Sequence, residues 1–70
     1  MSNFGSRLKS LRESRGYSTK DVAEAIGVTQ RTIQMYEKGS RKPDYDGLIK
    51  LADFLDVSID YLAGRTKTPK

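Results

Sequence analysis

Thr19 to Lys38 reads TKDVAEAIGVTQRTIQMYEK, and this stretch decides the fold. Val22, Ala23 and Ile26 fall at spacings that put them on one face of a helix, and Ile33 and Tyr36 do the same further along. Between the two faces lie Gly27, Val28 and Thr29. Gly27 stops the first of these helices, since a residue without a Cβ takes positive φ at no steric cost. Thr29 then caps the second with its hydroxyl. So short a connection is too tight for an ordinary antiparallel helix pair and makes the two helices cross steeply. Ala23 must be small because the following helix passes close to it. Val22, Ile26, Val28 and Ile33 fill the wedge between the two, and Tyr36 closes its far side.

Working outward, Ser18 and Asp21 have the spacing of a capping box at the start of the first of these helices, although Asp is shorter than the usual Glu. Upstream, Phe4, Leu8 and Leu11 fall at i, i+4 and i+7, which predicts a helix over 4–15 that Ser2 or Asn3 can cap and Gly16 can end. Downstream, Gly39 is the expected C′ residue, and Gly39-Ser40-Arg41-Lys42-Pro43 is a loop by composition. Asp44 can cap a fourth helix with Leu48, Leu51, Ala52 and Leu55 on its inner face, and Gly47 in its first turns has no evident reason. Val57 closes that segment, Ser58 caps a short fifth helix carrying Ile59 and Leu62, and Gly64 ends it. The expectation is an all-α, compact five-helix bundle over 1–64 with a core of Leu8, Leu11, Val22, Ala23, Ile26, Val28, Ile33, Leu48, Leu51, Ala52, Leu55, Val57 and Leu62. Residues 65–70, RTKTPK, form a basic tail expected to be disordered.

Composition narrows the chemistry. The 70 residues are enough for one small domain, whose core supplies only ~3–5 kcal/mol of net stability. With no Cys and no His there is no disulfide, no thiolate metal site and no histidine base, and no metal or cofactor is expected. No phosphate-binding GxxxxGK[ST] loop and no nucleophile–base arrangement is visible. Asp53 and Asp56 sit at i, i+3 on what should be a solvated face, so catalysis is not expected. Net charge is +4 with a pI near 9.6, which favours a polyanionic partner. Residues 1–43 carry nine Lys/Arg against four Asp/Glu, whereas 44–64 carry one Lys against five Asp. That acidic segment should face away from a polyanion or sideways. No apolar run approaches a membrane span, and MSNFGSRLKS lacks the apolar region of a secretory signal, so a cytoplasmic protein is expected.

The segments RLKSLRESRGYSTKDVAEAIGV, TQRTIQMYEKGSRKPD and LIKLADFLDVSIDYLAG together carry a wider likeness. Over residues 4–64 the chain resembles the Cro and phage-repressor type helix-turn-helix family of bacterial and phage regulators. The resemblance implies a lambda-repressor-like DNA-binding domain whose helix from Gln30 to Lys38 is the recognition helix, its N-terminal residues facing base edges. The side chains there suit that work: Gln bonds adenine N6 and N7, and Arg forks onto guanine O6 and N7. The expected base readers are Gln30, Arg31, Thr32, Met35 and, less centrally, Gln34, with Met35 pressing an apolar tip on a thymine methyl. Ser18, Thr19 and Lys20, at a helix N-terminus, suit a DNA phosphate, and Lys38, Ser40, Arg41 and Lys42 suit the strand across the groove. The resemblance further implies that Arg12 pairs with Glu37, orienting the recognition helix, with the guanidinium also near a phosphate. It implies a transcriptional regulator, a repressor by expectation, that binds double-stranded DNA as a two-fold dimer on a pseudo-palindrome. Phe54, Ile59 and Tyr61 are apolar residues beyond what one helical face needs, and are expected to form a weak homodimer contact. The alternative is a protein-interaction module or antitoxin-like partner docking through 44–64. No small-molecule ligand is evident.

Overall fold

Four side-chain oxygens open four of the helices. Ser18 accepts from the Asp21 N–H while Asp21 accepts from the Ser18 N–H, so the Asp-for-Glu capping box closes in full. Thr29, Asp44 and Ser58 each accept from the N–H three residues on, caps worth about 1 kcal/mol apiece. The computed structural model describes residues 4–67. They form α1 (Phe4–Ser14), α2 (Thr19–Ile26), α3 (Gln30–Lys38), α4 (Tyr45–Leu55) and α5 (Ile59–Leu62), with no strand among them. The cap expected from Ser2 or Asn3 lies outside the described residues, as do 68–70 of the tail. Arg65 is held to α5 by its N–H, which donates to Asp60 O at 2.8 Å.

α3 packs between α1 and α2, α4 backs α2, and α5 joins α4 to α1. The side chains of Leu8, Val22, Ile33, Leu51, Leu55 and Leu62 at the centre are fully buried. Two residues expected in the core are only half-buried. Val28 sits in the turn, and Leu48 lines a surface pocket with Phe4 and Pro43. Tyr36 joins the core instead, its ring edge-on to Phe4 at 6.3 Å. Gly27 adopts the left-handed conformation at φ 77°, as the tight turn requires. Gly47, unexplained by sequence, lies against its own helix cap: a Cβ there would stand 3.1 Å from Asp44 Oδ1 and 3.2 Å from Pro43 Cβ.

Candidate nucleic-acid interface

The packing of α3 on α1 and α2 buries Ile33 and Tyr36 and leaves Gln30, Arg31, Gln34 and Lys38 exposed. Thr32 and Met35 are half-buried at the flanks of that ridge. Thr32 is also tied back to the helix start, its hydroxyl 2.9 Å from that of Thr29. Thus three of the five expected base readers are exposed and two are half-buried.

The N-termini of α2 and α3 meet. Gln30 Nε2 donates to Thr19 Oγ1 at 2.9 Å, across the helix crossing. Sequence reading singled out both residues but not their bond, which depends on the crossing angle rather than on spacing. Ser18 donates its N–H to the Asp21 carboxylate and accepts the Asp21 N–H at its hydroxyl, which keeps its own proton, so the capping box also brings a carboxylate to this helix end. Thr19 and Lys20 follow, with first-turn N–H groups that have no acceptor within the helix.

Arg12 and Glu37 pair as expected. Arg12 Nε donates to Glu37 Oε2 at 2.7 Å and Nη2 donates to Oε1 at 3.2 Å, a two-pronged contact between side chains only 12% and 10% exposed. Nη1 donates to Tyr17 O at 2.8 Å. One guanidinium thus ties α1 to the last turn of α3 and to the residue just before the α2 cap. Its pKa is raised, first by the hydrogen bond to Glu37, against the lowering effect of burial, with the charges of Glu37 and Glu13 adding to the rise. Most of its donors are directed inward, so only an outer edge is left for an external anion.

Lys38 in the last turn of α3, and Ser40, Arg41 and Lys42 after the left-handed Gly39, are all exposed. Arg41 and Lys42 border a cleft of about 470 Å³ that Val28, Thr32, Asp46 and Lys50 also line. The acidic segment does not turn wholly away: Asp44 and Asp46 line the same cleft as Thr32, because the loop folds the head of α4 back toward α3. Lys50 comes with them, a cation hidden by averaging charge over a linear window.

The expected self-contact residues Phe54, Ile59 and Tyr61 are half-buried. Phe54 stacks on Tyr17 at 4.7 Å, and Tyr61 lies under the Arg7 guanidinium at 4.7 Å. The large apolar side chain that does stand in solvent among the described residues is Tyr45, 70% exposed, which sequence reading passed over. Among the described residues no group of His, Cys, Asp or Glu could hold a metal ion, and no helix is long and apolar enough to cross a membrane.

Comparison with known proteins agrees with this geometry. A family model described as helix-turn-helix matches residues 8–62. The HTH-type transcriptional regulator ImmR of Bacillus subtilis is 38% identical over 68 residues, which cover 97% of this chain and 54% of ImmR. SinR of Bacillus subtilis, a master regulator for biofilm formation solved in complex with DNA, superposes with a TM-score of 0.78 at 33% identity, over 84% of this chain and 95% of the SinR chain in that complex. The P22 c2 repressor, solved with a synthetic operator, has a TM-score of 0.89 over 94% of this chain and 100% of that one, a likeness of fold at 23% identity. The chain spans about half the length of the curated relatives it matches, 54%, 51% and 55% of three of them.

Proposed function

This chain belongs to the helix-turn-helix family, of the Cro and phage-repressor type, and we propose that it is a sequence-specific regulator of transcription that lays α3 in the major groove of duplex DNA. The observation that carries the reading is the exposed ridge of Gln30, Arg31 and Gln34 on a helix whose other side is locked into the core. Arg31 forks onto a guanine. Gln30 gives one amide hydrogen to Thr19; its other hydrogen and its Oε1 fit adenine N7 and N6. As acceptor in that bond, the Thr19 hydroxyl keeps its own proton for a phosphate, so base reading and backbone gripping share one hydrogen-bond chain. Met35 and the Thr32 methyl supply apolar contact for thymine at the flanks.

Thr19 and Lys20 hold one phosphate strand, and Lys38, Ser40, Arg41 and Lys42 hold the other, with the outer edge of Arg12 beside the first. These contacts fix register and supply most of the affinity. The long axis of 28 Å covers about eight base-pair steps at ~3.4 Å each, so one copy reads a half-site. Two copies related by a two-fold axis place their α3 helices ~34–36 Å apart on a pseudo-palindrome. Phe54, Ile59 and Tyr61 form the self-contact, and their partial burial within the monomer makes it weak off DNA. Repression in the cytoplasm is the simplest outcome, since occupying an operator blocks polymerase without a further surface, and no catalytic step or cofactor enters. A second reading, protein docking through 44–64, draws on one observation: Tyr45 is 70% exposed at the head of that segment.

Selection of genomic fragments by the purified chain at two salt concentrations tests the main reading. The expected result is a pseudo-palindromic consensus whose affinity falls steeply with salt. Recovery of no enriched sequence, or of binding indifferent to salt, sinks it.

A further inference from the structure

Gly5 lies in the first turns of α1, where a glycine weakens a helix relative to alanine. It is buried, and not to make room for a side chain. The direction in which a Cβ would point runs into the backbone of the recognition helix. A Cβ on residue 5 would stand 2.5 Å from Glu37 O, 2.7 Å from Tyr36 O and 3.0 Å from Glu37 C. These are main-chain atoms, which cannot swing aside as a long side chain can. Gly27 and Gly39, by contrast, have open space where a Cβ would go. Two turns along the same face of α1, Arg12 grips the side chain of that same Glu37. Phe4, next to Gly5, meets the ring of Tyr36. α1 therefore forms a seat for residues 36 and 37, with backbone contact at Gly5 and side-chain contact on either side of it, from Phe4 and from Arg12.

We propose that Gly5 is a positioning residue for DNA reading: its missing side chain sets how closely α1 seats the C-terminal end of α3, and so the angle at which α3 enters the groove. The inference rests on α3 being the groove helix, as above. Restoring an ordinary carbon–oxygen contact of about 3.3 Å from 2.5 Å moves Glu37 by about 0.8 Å. The far end of α3 is anchored at the Thr29 cap, eight residues away and so about 12 Å along the axis, which gives a tilt of about 4°. The displacement grows along the helix. Gln30 and Arg31 stay nearly in place, whereas Gln34 and Met35 shift by several tenths of an ångström. Base-edge contacts tolerate only about 0.5 Å. Phosphate contacts through long lysine stems adapt to such a shift.

The test compares the wild-type chain, Gly5→Ala and the control Val57→Ala, a core truncation where α4 meets α5, away from the seat. Each is measured by circular-dichroism melting and by binding to the selected operator, to every single-base variant of it, and to a random duplex. For Gly5→Ala the expected result is a folded protein with unchanged affinity for random duplex and operator affinity lower by about 5- to 10-fold, the loss of one base-pair step. Discrimination should fade at the positions read by Gln34 and Met35 and persist at that read by Arg31. Val57→Ala should keep the wild-type discrimination profile. A Gly5→Ala chain that fails to fold, that loses operator and random duplex in step, or that keeps the wild-type profile makes Gly5 a stability residue and overturns the proposal. A wild-type chain with no preference among duplexes defeats the functional reading itself, an outcome distinct from all three.

Discussion

Removing the carboxylate of Glu37 strikes the joint on which the interface is built. Glu37→Ala deletes two charge-assisted hydrogen bonds, at 2.7 and 3.2 Å, and leaves a guanidinium whose side chain is only 12% exposed. Breaking one side of a buried pair costs ~3–5 kcal/mol, because the surviving charge stays desolvated without its partner. Two features place this case at the low end. Arg12 keeps its bond to Tyr17 O, and Glu13 lies 3.9 Å from Nη2, near enough to take up part of the charge. A loss of about 3 kcal/mol is therefore expected. For a chain of this size that lowers the melting midpoint by roughly 12–24 °C, a large share of the stability a single small core supplies. Urea melts followed by circular dichroism measure the loss, and a cycle with Arg12→Met and the double variant isolates the pair from either residue alone. The double variant should recover part of the loss, since no charge is then left buried alone. A cost below about 1 kcal/mol, typical of exposed ion pairs, or a double variant no more stable than Glu37→Ala, would refute the account of Arg12 as a buried joint. Binding assays on Glu37→Ala cannot by themselves identify a DNA contact, because the fold weakens at the same time.

Other substitutions separate the classes of contact. Arg31→Ala should weaken operator binding by ~1–3 kcal/mol and relax preference at one base pair, with melting unchanged because the side chain is exposed; equal selectivity in a single-base variant panel would remove Arg31 from the readers. Thr19→Val and Gln30→Ala should be non-additive in operator affinity, by about 0.5–3 kcal/mol, because they share the 2.9 Å bond; strict additivity would mean that the bond does no work on DNA. Lys50→Ala, on the cleft wall with Arg41 and Lys42, should weaken all duplexes alike and lower the salt slope by about one, whereas an unchanged slope in titrations at several ionic strengths would place Lys50 off the backbone path.

The five helices were legible because their boundaries are local chemistry. Ser18, Thr29, Asp44 and Ser58 cap with oxygens that need only the next turn of chain, and Gly27 turns with a φ that follows from its lack of a Cβ. The shorter carboxylate of Asp21 still reaches the Ser18 N–H at 2.9 Å, so a rule stated for Glu held for Asp. The inward and outward faces of α3 also followed from its period, since burial of Ile33 and Tyr36 forces Arg31, Gln34 and Lys38 outward. The Arg12–Glu37 joint was another matter. Its partners lie 25 residues apart, and only the family likeness brought them together, for no spacing rule reaches that far.

What stayed hidden has one physical source, the approach of elements distant in the chain. Gly5 looks like a defect until α3 is laid against it, when a Cβ proves to have no room. Tyr36 looked like a lid at the edge of the wedge until Phe4 covered it and made it core. The same cause places charges that a linear count keeps apart side by side. Counting Asp along 44–64 gives an acidic back, but the loop after Gly39 folds the head of α4 beside Thr32, so Asp44, Asp46 and Lys50 share a cleft with the basic run. In the proposed complex the carboxylates there would oppose nearby phosphates, and salt screens such charges weakly within a Debye length of ~8 Å. On the proposed reading, a rim that mixes both signs would lower affinity for every duplex alike and leave base reading untouched. Selectivity is a difference between two affinities, and such a rim lets the exposed tips of Gln30 and Arg31 decide a larger fraction of the total.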